Sequence, residues 1–154
     1  MQLYLIRHAH AVESQLDPLR PLSERGRQQA RRMGEFLNTT SAFTPIWIWH
    51  SGLARAKETA EILGALASPQ AVIAALPGLG GDDDPALLSD KLNTLATSTA
   101  LVGHEPHLSR LASLLVCRAV APPRFNFRKG SALALDRGNE GWTVRWFVSP
   151  ALLA

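Results

Sequence analysis

Three short stretches carry the residue types best suited to chemistry on an anion: Arg7-His8, then His50-Ser51 with Arg55 shortly after, then His104-Glu105. Arginine presents a planar fork of donors that matches phosphate oxygens, and a helix N-terminus offers oriented N–H groups to the same anion. A histidine held in such a clamp can donate to phosphate or attack it, because its ordinary pKa lies near neutrality. The residues therefore read as a phosphate site in which a histidine serves as donor or as nucleophile, provided that the fold brings the three stretches together.

The surrounding pattern supplies elements able to do so. Leu3 to Ile6 reads as a strand, and Ser23 as the N-cap of a helix whose Gly26, Ala30, Met33 and Leu37 share one face. Ile46 to His50 reads as a second strand, with Ser51-Gly52 as turn and N-cap of a helix marked by Ala56, Ala60, Leu63 and Ala67. Ala71 to Leu76 is a weaker third strand, followed by a Gly/Asp loop through Pro85 and a short helix over Ala86 to Leu95. Thr99 to Gly103 is a fourth strand, and Pro106 fits N1 of a helix carrying Leu108, Leu111, Ala112 and Leu115. Ala132 to Leu135 and Trp142 to Val148 flank a turn-rich Asp136 to Gly141 and predict a closing antiparallel hairpin. The expected architecture is a single three-layer α/β/α domain over residues 1–154, with a mainly parallel sheet and a C-terminal antiparallel hairpin. In such a sheet ligands bind beyond the C-terminal ends of the strands, where the three stretches fall.

In this order and spacing, Arg7-His8-Ala9, Ser51-Gly52-Leu53-Ala54-Arg55-Ala56-Lys57-Glu58-Thr59-Ala60 and Val102-Gly103-His104-Glu105-Pro106 resemble the signatures of the histidine phosphatase superfamily. The short chain, the stretch from Arg20 to Gly26 and the "VGHEPHLS" segment resemble its small SixA-type phosphohistidine phosphatases. The resemblance implies that His8 is the nucleophile of a covalent phosphohistidine intermediate, and that Arg7, Arg55 and His104 hold the phosphoryl oxygens. It implies no metal or other cofactor, and partners that carry phosphohistidine, such as histidine-containing phosphotransfer domains. It also places Arg20 near the site, with Ser51 and Glu105 as supporting candidates. Three letters depart from the family pattern: Ala9 replaces glycine, Gly52 replaces proline and Glu58 replaces glutamine.

Relatives that cleave phosphate esters place a carboxyl group before the late histidine to protonate the leaving alkoxide. Here that loop holds Asp82, Asp83 and Asp84, with Asp90 further on, a run that equally suits a solvated loop and a helix cap. An imidazole leaving group, with an ordinary pKa of about 6.5, has far less need of such an acid. Protein phosphohistidine is therefore the favoured substrate. A small-molecule phosphomonoesterase or mutase, and a non-catalytic phosphate-binding module, are the alternatives.

Composition narrows the classes further. A chain of 154 residues with 46% hydrophobic and 19% charged residues is expected to fold as one globular domain. A lone cysteine, Cys117, permits no internal disulfide and is expected to be a small buried side chain in a cytoplasmic protein. No apolar run reaches membrane-spanning length, and the net charge of +3 comes without the aromatic-interleaved basic motif of a nucleic-acid binder. His10, His50 and His107 are expected at the polar rim, and Trp47 and Trp49 between sheet and helices.

Overall fold

A computed structural model describes residues 1–13 and 16–153. Six strands form one sheet: β1 (Gln2–Arg7), β2 (Trp47–His50), β3 (Val72–Ala75), β4 (Thr99–Gly103), β5 (Ala132–Gly138) and β6 (Gly141–Val148). The helices are α1 (Glu24–Thr40), α2 (Ala54–Ala67), α3 (Pro85–Thr94) and α4 (His107–Cys117). The strand order is β3-β2-β4-β1-β5-β6. The first four of these positions run parallel, and β5 and β6 close the sheet antiparallel.

The alternation of side chains along the strands explains the three layers. Leu3 and Leu5 of β1, Trp49 of β2 and Leu101 of β4 pack against Leu88 and Leu92 of α3 and against Leu108, Leu111 and Leu115 of α4. The intervening Tyr4, Ile6, Ile48, Ala100 and Val102 face Met33 and Leu37 of α1 and Ala56, Ala60 and Leu63 of α2. Trp47 and Trp49 lie on the same face, ring centroids 6.0 Å apart, as expected of sheet-to-helix packing.

Register is what assembles the site. Arg7 stands opposite Gly103, and His50 opposite Val102, so the C-terminal ends of β1, β4 and β2 lie level. The residues that follow them emerge on one rim.

Several local expectations are corrected. Leu53, not Ser51, is the N-cap of α2, because Gly52 adopts φ +93° and the helix begins two residues later. Pro106 is the N-cap of α4 rather than its first residue. The hairpin turn is shorter than composition suggests: Asp136 and Arg137 are paired with Thr143 and Trp142 within the ladder. Cys117 is exposed, since it ends α4 about two residues past Leu115 and so points away from the buried face. Among the described residues no helix is long and apolar enough to cross a membrane.

Candidate active site

Backbone hydrogen bonds fix the exit of β1 from both sides. The Arg7 amide donates to Ser131 O (3.0 Å) and the His8 amide to Gly103 O (3.0 Å), while the Gly130 amide donates to the carbonyls of Arg7 and His8 (3.1 and 3.2 Å). Next along the chain, the Ala9 amide donates to Thr59 Oγ1 of α2 (3.1 Å). All three residues of the first motif are thus strapped to β4, to the segment before β5 and to α2.

The His8 ring is buried, and its Nδ1 lies 2.7 Å from Ala9 O. A carbonyl oxygen only accepts, so Nδ1 carries the proton and Nε2 keeps its lone pair. The His104 ring packs beside it, centroids 4.9 Å apart, and its Nε2 is 2.6 Å from Ser51 Oγ. Arg7 Nη1 donates to Phe127 O (2.8 Å). Arg55, buried on the first turn of α2, donates to Asp17 O (3.0 Å) and to Asp17 Oδ2 (3.3 Å). Arg20 pairs with the other oxygen of the same carboxylate at 3.0 Å. The Nε groups of Arg7, Arg20 and Arg55 are buried and have no partner among the described residues. Buried guanidinium donors left open in this way are matched by the oxygens of an anion.

The electrostatics follow from burial among cations. Burial pushes His8 down to about 3, against its bond to Ala9 O, and His104, Arg55 and Arg7 add to the shift. Burial, then Arg55, brings His104 to about 4 despite the opposing Asp17 carboxylate. Both imidazoles are neutral near pH 7. Burial lowers Arg7 as well, with Glu105 opposing it. Glu105 is itself raised by burial, against its bonds to the Ser109 amide and hydroxyl and the charge of Arg7. Burial alone would raise Asp17, but Arg55 and Arg20 together hold it below the ordinary carboxylate range. A neutral imidazole with a free lone pair, beside two arginines, is equipped to attack an electrophile that carries negative oxygens.

The structure thus brings Arg7, His8, Ser51, Arg55 and His104 to one rim, with Arg20 joined to them through Asp17. The departures from the family pattern are accommodated. Ala9 is fully buried against Leu22 and Ala30, and Glu58 Oε1 accepts from the Leu22 amide (3.2 Å), a role that a glutamine oxygen fills equally. Asp83 and Asp84 are engaged locally: Asp83 Oδ2 accepts from the Gly80 amide (2.7 Å), and Asp84 caps α3 through the Ala86 amide (3.0 Å). Asp82 and Asp90 are exposed. Of the rim histidines, His10 is half-buried with its Nδ1 2.6 Å from Ser23 Oγ. His50 and His107 are buried instead, because β2 and α4 carry them inward. His50 Nδ1 accepts from the Gly52 amide, and neither ring nitrogen of His107 has a partner among the described residues. Asp17 and the Asn126–Gly130 segment escaped the sequence reading. Asp17 meets Arg55 across 38 positions, a pairing that no local pattern signals.

Residues 3–79 match the histidine phosphatase superfamily (branch 1). Among solved structures, a protein histidine phosphatase SixA complexed with tungstate is 23% identical, with 98% of each chain covered and a TM-score of 0.86. A phosphoserine phosphatase of Entamoeba histolytica, complexed with phosphoserine, is 15% identical, with 97% of each chain covered and a TM-score of 0.70. A mycobacterial glucosyl-3-phosphoglycerate phosphatase is 20% identical over 96% of this chain and 99% of its own, with a TM-score of 0.72. At these identities the likeness concerns the fold. No curated protein matches the chain.

Proposed function

The chain belongs to the histidine phosphatase superfamily, branch 1, and from that premise we propose that it dephosphorylates protein phosphohistidine through a covalent phospho-His8 intermediate. The observation that carries this reading is the His8 ring, which donates from Nδ1 to Ala9 O and so leaves Nε2 free beside His104, Arg7 and Arg55. His8 Nε2 attacks the phosphorus, and the bond from phosphorus to the substrate imidazole nitrogen breaks. The substrate ring, protonated on its other nitrogen, takes the bonding pair and leaves as neutral imidazole. Water then attacks phospho-His8, releasing orthophosphate and restoring the lone pair. Arg7, Arg55 and His104 hold the phosphoryl oxygens, where transfer depends mostly on positioning and charge stabilisation. Ser51 orients His104, and Arg20 and Asp17 orient Arg55.

The carboxylates around the site support a nitrogen leaving group. Asp17 is held ionised by two arginines, Glu105 is tied to Ser109, and Asp83 and Asp84 are tied into their own loop and helix cap. Asp17, Glu105, Asp83 and Asp84 are thus committed to partners and the exposed Asp82, beside Gly81, is the remaining candidate acid, whereas a protonated imidazole ring departs with little help. SixA, named a protein histidine phosphatase, has the same fold. A histidine-containing phosphotransfer domain is the partner this predicts.

The test is an alkaline quench after mixing with a radiolabelled phosphohistidine protein, with the two proteins then separated by size. An acid-labile, base-stable phosphoryl adduct is expected on the wild type and not on His8→Ala. Phosphate release should be faster from the phosphoprotein than from phosphoserine or sugar phosphates. Faster release from the esters would instead favour a small-molecule phosphomonoesterase, and no adduct with any donor would leave a phosphate-binding module.

A further inference from the structure

Beside the phosphoryl site lies an open cleft of about 460 Å³, framed by α1, by the segment before β5 and by the residues after β6. Among the described residues its lining carries the cations Arg7, Arg25, Arg128 and Lys129, with His10 beside them, and no Asp or Glu. Arg7 belongs to both places, since its guanidinium bonds Phe127 O in the cleft while its main chain holds His8 in position. The Gly130 amide, one residue after Lys129, bonds the carbonyls of Arg7 and His8, so the basic segment is fastened to the reacting rim.

These cations are not consumed by the fold. Arg25, Arg128 and Lys129 enter no ion pair among the described residues, in contrast to Arg20, Arg27 and Arg55. Burial lowers Lys129, and the charges of Arg7, Arg20 and Arg25 add to this, with Glu13 opposing. His10 is lowered in the same way by burial, Lys129 and Arg25, again against Glu13. Like charges gathered with Glu13 as their one opposing neighbour raise the free energy of the cleft and favour a negatively charged occupant.

Exposure discriminates between occupants. A second small anion needs convergent, buried donors, but Arg25 and Arg128 are exposed on long flexible stems drawn from different segments. Such an arrangement suits a broad acidic surface. We propose that this cleft receives the Asp- or Glu-rich chain flanking the phosphohistidine of the substrate protein, so that Arg7 joins recognition of the protein to recognition of its phosphoryl group. The inference rests on the phosphohistidine reading for the identity of the substrate, and on the cleft alone for its acidic character.

Two measurements separate these. In the first, a labelled, unphosphorylated Glu/Asp-rich peptide is titrated by fluorescence polarisation against the wild type and the double variant Arg25→Glu, Lys129→Glu. Binding is expected on the wild type, weakened by about tenfold in the variant and similarly by raising salt from 50 to 300 mM, as charge-driven contacts are. In the second, kcat/KM is compared for phosphohistidine peptides with acidic and with neutral flanks. The wild type should prefer the acidic flank by about tenfold, and the variant should lose that preference through KM. Equal use of both flanks together with no peptide binding overturns the cleft proposal and leaves the phosphatase reading intact. Peptide binding that depends on Lys129, with neither phosphopeptide hydrolysed, keeps the cleft and overturns the phosphohistidine reading. Displacement of the peptide by pyrophosphate, or by an oligonucleotide at lower concentration than by unlabelled peptide, also overturns the proposal.

Discussion

The state of a single ring nitrogen decides whether this site can react. Because Ala9 O fixes the proton on Nδ1, and burial with neighbouring cations holds His8 near 3, Nε2 is an unprotonated base throughout the physiological range. If His8 is the nucleophile proposed above, a lowered pKa keeps it in its reactive form, and activity through it is lost only when acid protonates it. With substrate ionisation divided out, kcat/KM of the free enzyme should stay level from pH 8 down to about pH 5 and fall only toward pH 4 and below. A stopped-time assay of phosphate release across that range checks it, and an acid limb centred near 6.5 would show that His8 titrates as an ordinary solvated histidine. Arg7, His8, Arg55 and His104 were legible in the chain because each sits within a few residues of a strand end. Asp17 was not, since its value lies in bridging Arg20 and Arg55 through space.

At the scale of elements, the strands were legible nearly to the residue where both faces are buried, as in β4, predicted and found over Thr99–Gly103. The hairpin was less legible because β6 is the sheet edge. Its outward side chains and the polar Asp136 and Arg137 imitate a turn, although the backbone remains paired. The glycines divide sharply at this scale. Gly26 lies where the start of α1 crosses the His10 backbone, and a Cβ there would stand 1.9 Å from His10 O. The Gly26→Ala variant must push α1 away from the chain leaving His8, which predicts a loss of several kcal/mol, the cost of overpacking with backbone on both sides. Gly52 has open space around it and needs only its positive φ of 93°. Gly52→Ala should cost about 1–2 kcal/mol, the ordinary penalty for an L-residue in that region. Urea unfolding of both variants tests the order. Equal losses would mean that the approach of α1 to His10 is not a constraint on the fold.

For the whole molecule, the same burial that prepares the site makes the fold sensitive to acid. The two faces of the sheet were readable from alternating apolar residues, but the depth of the histidines was not, because a histidine beside a strand end or on a first helical turn has no periodic signature. In the folded chain His8, His50, His104 and His107 are all buried, and all are shifted downward chiefly by that burial. An unfolded histidine takes a proton near pH 6.5, whereas folded His8 and His104 resist until about 3 and 4. Below pH 6.5 the unfolded chain therefore binds more protons than the folded one, so stability is greatest above that point and falls as pH falls toward 4. Each fully coupled histidine contributes a slope of about 1.4 kcal/mol per pH unit over the window. Against a typical total of roughly 5–15 kcal/mol, a few such groups remove a substantial share of the stability between pH 6.5 and 5, before most carboxylates titrate. Urea midpoints at pH 7.5, 6.0 and 5.0 should decline steeply for the wild type, and less steeply for His107→Gln, which removes one titrating ring away from the reacting rim. Midpoints unchanged between pH 7.5 and 5.0 would mean that these rings accept protons without cost and that the site is more open to water than its geometry implies.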